Sequence, residues 1–467
     1  MPGPLCRMLA SLVPRRSSGV HRLDEPFGVR TSPSHQQAPK GIKLATNYSA
    51  PVASPDRTLR LGLSGGFLAT ASGPGTASCR ADFAIEGHSS RKLRVAHINC
   101  VIDRHHRDPA ELLDAWPTLA LVAEAAAAAG ADVKVLQAAR TRATHAARGV
   151  TYTFVPELRV GQDDGPGLMP WRLSTELRRI EPDVVHFHGF EAPFHLWAVS
   201  RGMAPVLIQD HATQPGRRGK RIRRWSLRGV AGFAFTSTSQ AEVLAEAADL
   251  PRDARVFEIL ESSTRFTAGD RQDARERTQV FGNPAVLWVG HLNANKDPLT
   301  ILRAARAALN RLPELQLWCA FGSAELLPEV VSLLREDDEL RAHVHLLGGV
   351  PHAQVESLCR ACDLFVLGSH RESCGYALLE ALACGLVPVV TDIPSFRRIT
   401  GSGAVGALVP PGDVEGFAAA LVAQTRALDS MSRMRVLAHF EAHLSPQALG
   451  RQLICAYRTL QTAGENR

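Results

Sequence analysis

Short apolar strands alternate with helices along this chain, and the alternation starts twice. The first series opens at Lys92 with KLRVAHINCV, and the second opens at Ala285 with AVLWVGHL. Strands that alternate with helices form a parallel sheet with helices packed on both faces. We therefore predict an α/β fold of two doubly wound, Rossmann-like domains in series. A ligand-binding cleft is expected between them, beyond the carboxyl ends of the strands.

Composition sets the predicted domain boundaries. Residues 1–91 are rich in Ser, Pro, Gly and Arg and show no sustained periodicity, so we predict a disordered or low-complexity extension. The polar stretch at 261–279 separates an N-terminal domain at 92–262 from a C-terminal domain at 263–440, and a C-terminal helix and tail follow at 441–467. The first 22 residues lack Asp and Glu, which leaves open a transit peptide or an over-extended start.

Charge and hydropathy limit the classes of binding partner that the sequence allows. Of the 467 residues 45% are hydrophobic, yet no apolar run reaches the length of a membrane-spanning helix. The formal net charge of +7 favours anionic partners. The densest basic run, which includes Arg217–Arg224, is interpreted as a solvated surface or as a peripheral contact with anionic lipid. We expect a cytoplasmic protein, peripheral at the inner face of the membrane in the second case, and no nucleic-acid partner because no reading module accompanies the run.

Residues 368–385, GSHRESCGYALLEALACG, carry the strongest chemical signal. A strand ends at Gly368, a polar loop follows, and a helix is predicted to begin near Gly375. The first backbone N–H groups of a helix have no partner within it, so together with the helix dipole they form an anion site, which glycine lets a phosphate approach closely. The groups concerned belong to Cys374, Gly375, Tyr376 and Ala377.

Two carboxylates flank this predicted anion site. Glu372 lies in the loop before the helix, and Glu380 lies roughly 7 Å along the helix axis from Gly375. Acidic groups do not bind phosphate, but they accept hydrogen bonds from hydroxyl groups. The spacing therefore suits a diphosphate that carries a ribose on one side and a sugar on the other.

The two glutamates resemble a known family signature. Glu372-x7-Glu380, with the tail EALACGLVPVV, is similar to the Glu-x7-Glu signature of the retaining GT-B glycosyltransferases of group 1, family 4-like. WVGHLNANKDPLTIL, PDVVHFHG, PVLIQDH, HVHLLGGV and ACDLFVLGSHRE resemble further segments of that family. The resemblance covers roughly residues 92–440.

The resemblance implies a role for each matching residue. Glu372 is implied as the catalytic residue that contacts the sugar of the donor, with His211 and His188 from the first domain near the transferred sugar. Lys296 and His291 are implied to hold the diphosphate, although the family more often has arginine where His291 stands. The remaining implied donor-binding residues are Gly290, Gly348, Cys374, Gly375, Tyr376, Ala377 and Glu380, the last on the ribose.

The same resemblance implies the reaction. A hexosyl group would pass from a UDP- or GDP-linked sugar to a glycan, a lipid-linked acceptor or a small molecule, as in polysaccharide biosynthesis. Anomeric configuration would be retained, with no metal and no cofactor beyond the nucleotide sugar. A catalytically weak nucleotide-sugar-binding protein of the same fold stays open, because His291 replaces arginine. A nicotinamide-dependent enzyme is disfavoured, since no G-x-G-x-x-G follows a strand.

Two histidines share the predicted strand DVVHFHGF. We expect His186 and His188 to face opposite sides of the sheet, one of them being structural. His211 is the stronger candidate, because it follows a strand on the side where the cleft is expected.

Overall fold

The computed structural model describes residues 91–105, 107–157, 165–166, 170–202, 204–211, 220–246, 250–251 and 254–465. The predicted extension at 1–91 lies outside these ranges except for its last residue. The described residues form two α/β domains, one built on a sheet that is parallel apart from one edge strand and the other on a fully parallel sheet. The predicted fold class, two Rossmann-like domains in series, is therefore confirmed.

The described residues of the first domain form ten strands. They are β1 Arg94–Asn99, β2 Val101–Ile102, β3 Asp132–Ala139, β4 Ala143–Ala147, β5 Val150–Pro156, β6 Gly165–Pro166, β7 Val184–His188, β8 Val206–Gln209, β9 Gly232–Phe235 and β10 Val256–Glu258. Eight of them form one sheet in the order β10-β9-β8-β7-β1-β3-β5-β4, in which only β4 is antiparallel to its neighbour, while β2 pairs with β6. Chain order reverses between β1 and β7, which makes this pair the topological switch point.

In the described part of the first domain, six helices accompany this sheet. They are α1 Pro109–Ala115, α2 Pro117–Ala128, α3 Pro170–Ile180, α4 Pro193–Val199, α5 Lys220–Leu227 and α6 Thr238–Glu246. Four of the six begin with proline, whose fixed φ and missing N–H suit the first helical position. Proline therefore marks where most of these helices start.

The second domain repeats the pattern with six strands. They are β11 Ala285–Gly290, β12 Gln316–Phe321, β13 Val344–Gly348, β14 Leu364–Leu367, β15 Val387–Thr391 and β16 Ala407–Val409. All run parallel in the order β13-β12-β11-β14-β15-β16. The switch point lies between β11 and β14, so the segments that follow these two strands meet where a ligand of such a sheet binds.

Ten helices belong to the second half of the chain. They are α7 Arg271–Thr278, α8 Pro298–Leu309, α9 Leu327–Glu336, α10 Asp338–His343, α11 His352–Ala361, α12 Tyr376–Ala383, α13 Pro394–Thr400, α14 Val414–Ala427, α15 Ser432–His443 and α16 Pro446–Glu465. Within the described ranges, none of the helices of either domain combines the length and apolar character that crossing a bilayer requires.

The last helix, α16, returns to the first domain. It packs against α2 and reaches β7 and β8, with Leu449, Leu453 and Tyr457 buried. Gly450 faces the backbone of Ala125, where a side chain would overlap the carbonyl oxygen. Apolar periodicity predicts this helix but not its destination, because a buried stripe does not identify the surface that covers it.

Candidate active site between two sheet edges

The helix tip after β14 has the backbone that the sequence predicts. Gly375 precedes α12 with φ 72° and ψ 57° in the left-handed region, which favours glycine. A Cβ at this position would lie 2.6 Å from a ring carbon of Phe396. Cys374 beside it is fully buried, and burial raises the pKa of its thiol. Cys374 can therefore contribute to an anion site only through its backbone.

Lys296 and Glu372 meet beside this helix tip. Lys296 follows β11, and its backbone N–H donates to the side-chain oxygen of Asn293 at 3.0 Å. Its Nζ forms an ion pair with Oε1 of Glu372, which also accepts from the Ser369 hydroxyl at 2.7 Å. The side chains of Lys296 and Glu372 are 18% and 11% exposed. The structure thus brings the predicted diphosphate cation and the predicted catalytic carboxylate into direct contact.

Glu380, one helical turn further on, is also paired. Its Oε1 lies 2.6 Å from Nε2 of His352, and the hydrogen bond to Glu380 raises the pKa of His352 above the usual histidine value. Glu380 is largely shielded, whereas His352 is 69% exposed. His352 is exposed, so it can move aside when a ligand hydroxyl group binds Glu380.

The other predicted donor residues lie at strand ends of the same sheet. Gly290 ends β11, and a Cβ there would come within 3.2 Å of the Trp288 ring. Gly348 ends β13 with φ 68°. Nδ1 of His291, which is exposed, accepts from the Ser323 N–H at 3.1 Å. His291 therefore carries its proton on Nε2 when neutral and can act there as a donor.

In the first domain, the expectation that His186 and His188 face opposite sides of the sheet is wrong. Residues two apart on a strand share a face, and their rings stack at 4.5 Å between centroids. His97 on β1 is the register partner of His186, and its ring lies 4.6 Å from that of His186. All three side chains are buried, so His188 is not exposed at the surface of the cleft between the domains.

These histidines start a chain of hydrogen bonds that ends on a carboxylate. Nε2 of His188 lies 2.9 Å from Nδ1 of His97, and Nδ1 of His188 lies 2.9 Å from Nε2 of His211. Nδ1 of His211 lies 3.0 Å from Oε1 of Glu261. A carboxylate oxygen accepts, so His211 donates to Glu261, His188 donates to His211, and His97 donates to His188. Both ring nitrogens of His211 are therefore engaged within the protein.

Glu261 also accepts a hydrogen bond from a residue of the second domain. The Tyr376 hydroxyl donates to Oε1 of Glu261 at 3.0 Å and lies 2.8 Å from the Thr118 hydroxyl. Burial, followed by the charge of Glu261, raises the pKa of Tyr376, so the phenol keeps the proton that it donates. The first residue of α12 thus contacts the histidine chain of the first domain.

A second bridge joins the domains at the glutamate loop. The amide nitrogen of Gln240 donates to the carbonyl oxygens of Ser373 at 2.9 Å and Glu372 at 3.3 Å. Gln240, Glu261 and Thr118 are absent from the residues that the sequence predicts. Glu261 lies in the polar stretch between the domains, 50 residues from His211, and no local pattern identifies such a partner.

Two family models match the two domains that form this site. One, described as glycosyl transferases group 1, matches residues 270–425, and one described as glycosyltransferase family 4 matches residues 118–258. The chain is thus similar to glycosyltransferases in both of its domains. Lys296, Glu372 and Glu380 fall within the group 1 match, whereas His188 and His211 fall within the family 4 match.

Curated proteins that are similar to this chain include mannosyltransferases. The chain is 26% identical over 247 residues to a GDP-mannose:cellobiosyl-diphosphopolyprenol alpha-mannosyltransferase from Xanthomonas oryzae pv. oryzae, covering 50% of this chain and 63% of that protein. It is 26% identical over 305 residues to a phosphatidyl-myo-inositol mannosyltransferase from Mycobacterium leprae, covering 60% of this chain and 75% of that protein. The match thus spans less than two thirds of the Xanthomonas protein.

Solved structures agree with the fold of the two domains. A sucrose-phosphate synthase from Thermosynechococcus elongatus matches with a TM-score of 0.58 at 18% sequence identity. That match covers 80% of this chain and 100% of the synthase chain. It shows the two-domain GT-B architecture.

Proposed function

We propose that the protein is a retaining glycosyltransferase that moves a hexosyl group from a UDP- or GDP-linked sugar to an acceptor, without a metal ion on the diphosphate. The observation that carries the proposal is the contact of Lys296 with Glu372 beside the Gly375 helix tip. A lysine side chain, a helix N-terminus and a carboxylate there offer a place for a diphosphate and for the sugar attached to it.

Donor binding would exchange partners at this pair. A diphosphate on the α12 tip draws the ammonium group of Lys296 to its oxygens and so frees Oε1 of Glu372. The freed carboxylate then accepts hydrogen bonds from the sugar hydroxyl groups. Glu380 binds the ribose as His352 moves aside. Before the donor binds, the ion pair balances the charges of Lys296 and Glu372, so neither charged group is buried without a partner.

The chemical step follows from the same charges. As the bond between the sugar and the diphosphate breaks, negative charge grows on the leaving oxygen, where Lys296, His291 and the first N–H groups of α12 stabilise it. Retention requires that the acceptor attack from the face on which the diphosphate leaves. The leaving phosphate can then take the acceptor's proton, and no side-chain base is needed.

The acceptor side faces the first domain, and a membrane contact is supported there. On α5 the basic residues Arg221 and Arg224 are exposed, and Trp225 stacks on Trp197 of α4 at 4.9 Å between centroids. Phe194 on α4 is 49% exposed. Basic and aromatic side chains together suit an anionic lipid surface and hence a lipid-linked acceptor. Residues 217–219 of the predicted basic run lie outside the described residues.

Donor hydrolysis and transfer test the proposal. Purified protein is incubated with UDP-glucose, UDP-galactose, GDP-mannose and GDP-glucose, and release of the nucleotide is measured with and without added Mg²⁺ or Mn²⁺. We expect turnover of at least one donor, no requirement for an added ion, and loss of turnover in Lys296→Ala and Glu372→Ala. Proton NMR of the product should show the donor's anomeric configuration. Unchanged turnover in both variants refutes the proposal.

A nucleotide-sugar-binding protein with weak turnover is the second candidate. It is favoured by the occupied nitrogens of His211, which leave that ring no free nitrogen for a substrate, and by His291 in place of a permanently charged arginine. Calorimetry with UDP and GDP separates the two candidates. Binding without measurable donor hydrolysis supports the binding protein, whereas robust hydrolysis rules it out.

A further inference from the structure

Three imidazole rings meet inside the first domain, apart from the predicted diphosphate site. His97 comes from β1, and His186 and His188 come from the adjacent β7. Each offers one nitrogen such that the three nitrogens lie within 4.8 Å of one another. Across the part of the chain that the structure describes, this is the one group of three or more His, Cys, Asp or Glu side chains with that geometry.

The outward nitrogens of the three rings are held by other side chains. The Tyr457 hydroxyl lies 2.6 Å from Nδ1 of His186 and 3.2 Å from Nε2 of His97. Nδ1 of His188 bonds His211. Metal-binding histidines ordinarily have their second nitrogen fixed in this way. Nδ1 of His97 and Nε2 of both His186 and His188 remain to face the cluster.

One of the inward nitrogens lacks a regular hydrogen bond. Nε2 of His186 is buried and makes no hydrogen bond of normal geometry, although the Gln209 side chain interacts with the ring. A buried nitrogen without such a bond costs free energy unless something binds it.

A buried negative charge lies at the other end of the chain. Glu261 is 6% exposed and bonds His211 and Tyr376. In the described ranges no lysine or arginine forms an ion pair with it, and its Oε2 has no hydrogen-bond partner. A cation among the three histidines would lie two rings from this carboxylate and would offset its charge.

We propose that His97, His186 and His188 bind a divalent transition-metal ion of the Zn²⁺ type. Three imidazoles suit Zn²⁺, Co²⁺, Ni²⁺ and Cu²⁺, and not Mg²⁺ or Ca²⁺. Zn–N bonds of about 2.0–2.1 Å place tetrahedral ligands about 3.4 Å apart. The most distant nitrogens must therefore approach by at most about 1.4 Å, and His97 moves its proton from Nδ1 to Nε2, next to Tyr457.

Metal retention tests this site in the full chain. The protein is stripped with a chelator, incubated with ZnCl₂ or CoCl₂, desalted, and analysed for metal by mass spectrometry. We expect about one retained equivalent per chain, a visible Co²⁺ absorption of a four-coordinate ion, and a higher melting temperature with Zn²⁺. Mg²⁺ should give none of these. Less than about a tenth of an equivalent retained by the folded parent overturns the proposal.

Two variants locate the ion. In His186→Asn the amide N–H can still bond Tyr457, but the position of Nε2 is empty, so retention should be lost. The control is His195→Asn, which alters another buried histidine of the same domain on α4 and should retain the ion. Equal retention by His186→Asn and the parent refutes the site.

A third variant keeps the test decisive if His186→Asn does not fold. Tyr457→Phe leaves all three ligands and removes the bonds to the outward nitrogens of His186 and His97, so affinity should fall about 10- to 100-fold. Unchanged affinity in Tyr457→Phe would place the ion elsewhere. None of these measurements depends on sugar transfer, so they test the metal site separately from the proposed reaction.

Discussion

At the scale of single residues, Lys296 is where loss of function should be sharpest. Lys296→Ala removes the cation that we propose for the diphosphate and leaves Glu372 with the Ser369 hydroxyl alone. We expect kcat/KM for donor hydrolysis to fall by about 10²–10³, the usual effect of removing one group that stabilises a leaving anion. Lys92→Ala, at an exposed lysine, is the control. A loss below tenfold would mean that Lys296 does not contact the leaving group.

Gly375 tests the shape of the helix tip. Gly375→Ala places a side chain in the left-handed region and against Phe396, and we expect a loss of about 1–3 kcal/mol in the free energy of unfolding. Gly412→Ala is a matched control, since Gly412 has φ 78° but nothing within 4 Å of its added Cβ. Urea unfolding of both variants separates backbone strain from the clash. Equal losses would show that Phe396 moves aside at no cost.

The pH dependence of donor binding should follow His352. Because its pKa is raised by Glu380, protonated His352 holds that carboxylate at low pH and releases it as pH rises through the raised value. The pair's contribution to stability is likewise complete below the unfolded histidine pKa of about 6.5 and fades above the folded one. We expect KM for the donor to fall with rising pH in the parent and to be flat in His352→Asn. A parallel slope in both would assign the titration to another group.

Sequence-based prediction at the residue scale succeeded for local backbone structure, whereas the roles of the predicted site residues stay predictions. The helix start beside Gly375 and the neighbourhood of Glu372 follow from eight consecutive positions, and Lys296 follows from its distance to a strand end. Glu261 could not be found in that way, because its contacts with His211 and Tyr376 join three separate parts of the chain. The shared face of His186 and His188 was available from strand periodicity alone.

At the scale of elements, helix α5 should decide membrane attachment. Arg221 and Arg224 are exposed on it, and each basic residue near an anionic surface contributes about 1 kcal/mol. The double variant Arg221→Ala, Arg224→Ala should therefore bind phosphatidylserine vesicles about 30-fold more weakly in sedimentation. Arg335→Ala with Arg426→Ala removes the same charge from exposed positions of the second domain. Equal weakening in both variants would indicate net charge alone.

Elements themselves were predictable, whereas some of their neighbours were not. Apolar periodicity with proline at the first position identifies α2 and α8, whereas α4 was not predicted, and the alternation of strands and helices gives two parallel sheets. No local pattern links α16 to α2, because 317 residues lie between Ala128, where α2 ends, and Pro446, where α16 begins.

At the scale of the whole molecule, α16 should hold the two halves of the chain together. It follows the second domain yet buries Leu449, Leu453 and Leu460 against the first. Gly450 is the point of closest approach, because a Cβ there would overlap the carbonyl oxygen of Ala125 and touch the Ala129 side chain at 3.0 Å. A backbone oxygen cannot rotate away, so the helix must shift.

Gly450→Ala sets two opposing effects against each other. Alanine stabilises a helix interior by about 1 kcal/mol relative to glycine, whereas overpacking costs about 1–3 kcal/mol. We expect the clash to win and the free energy of unfolding to fall, measured by urea denaturation. Arg458→Ala, at an exposed position of the same helix, should change it by less than about 0.5 kcal/mol. A stabilised Gly450→Ala would mean that α16 stands further from α2 than the structure places it, and that the first domain does not need this helix to complete its core.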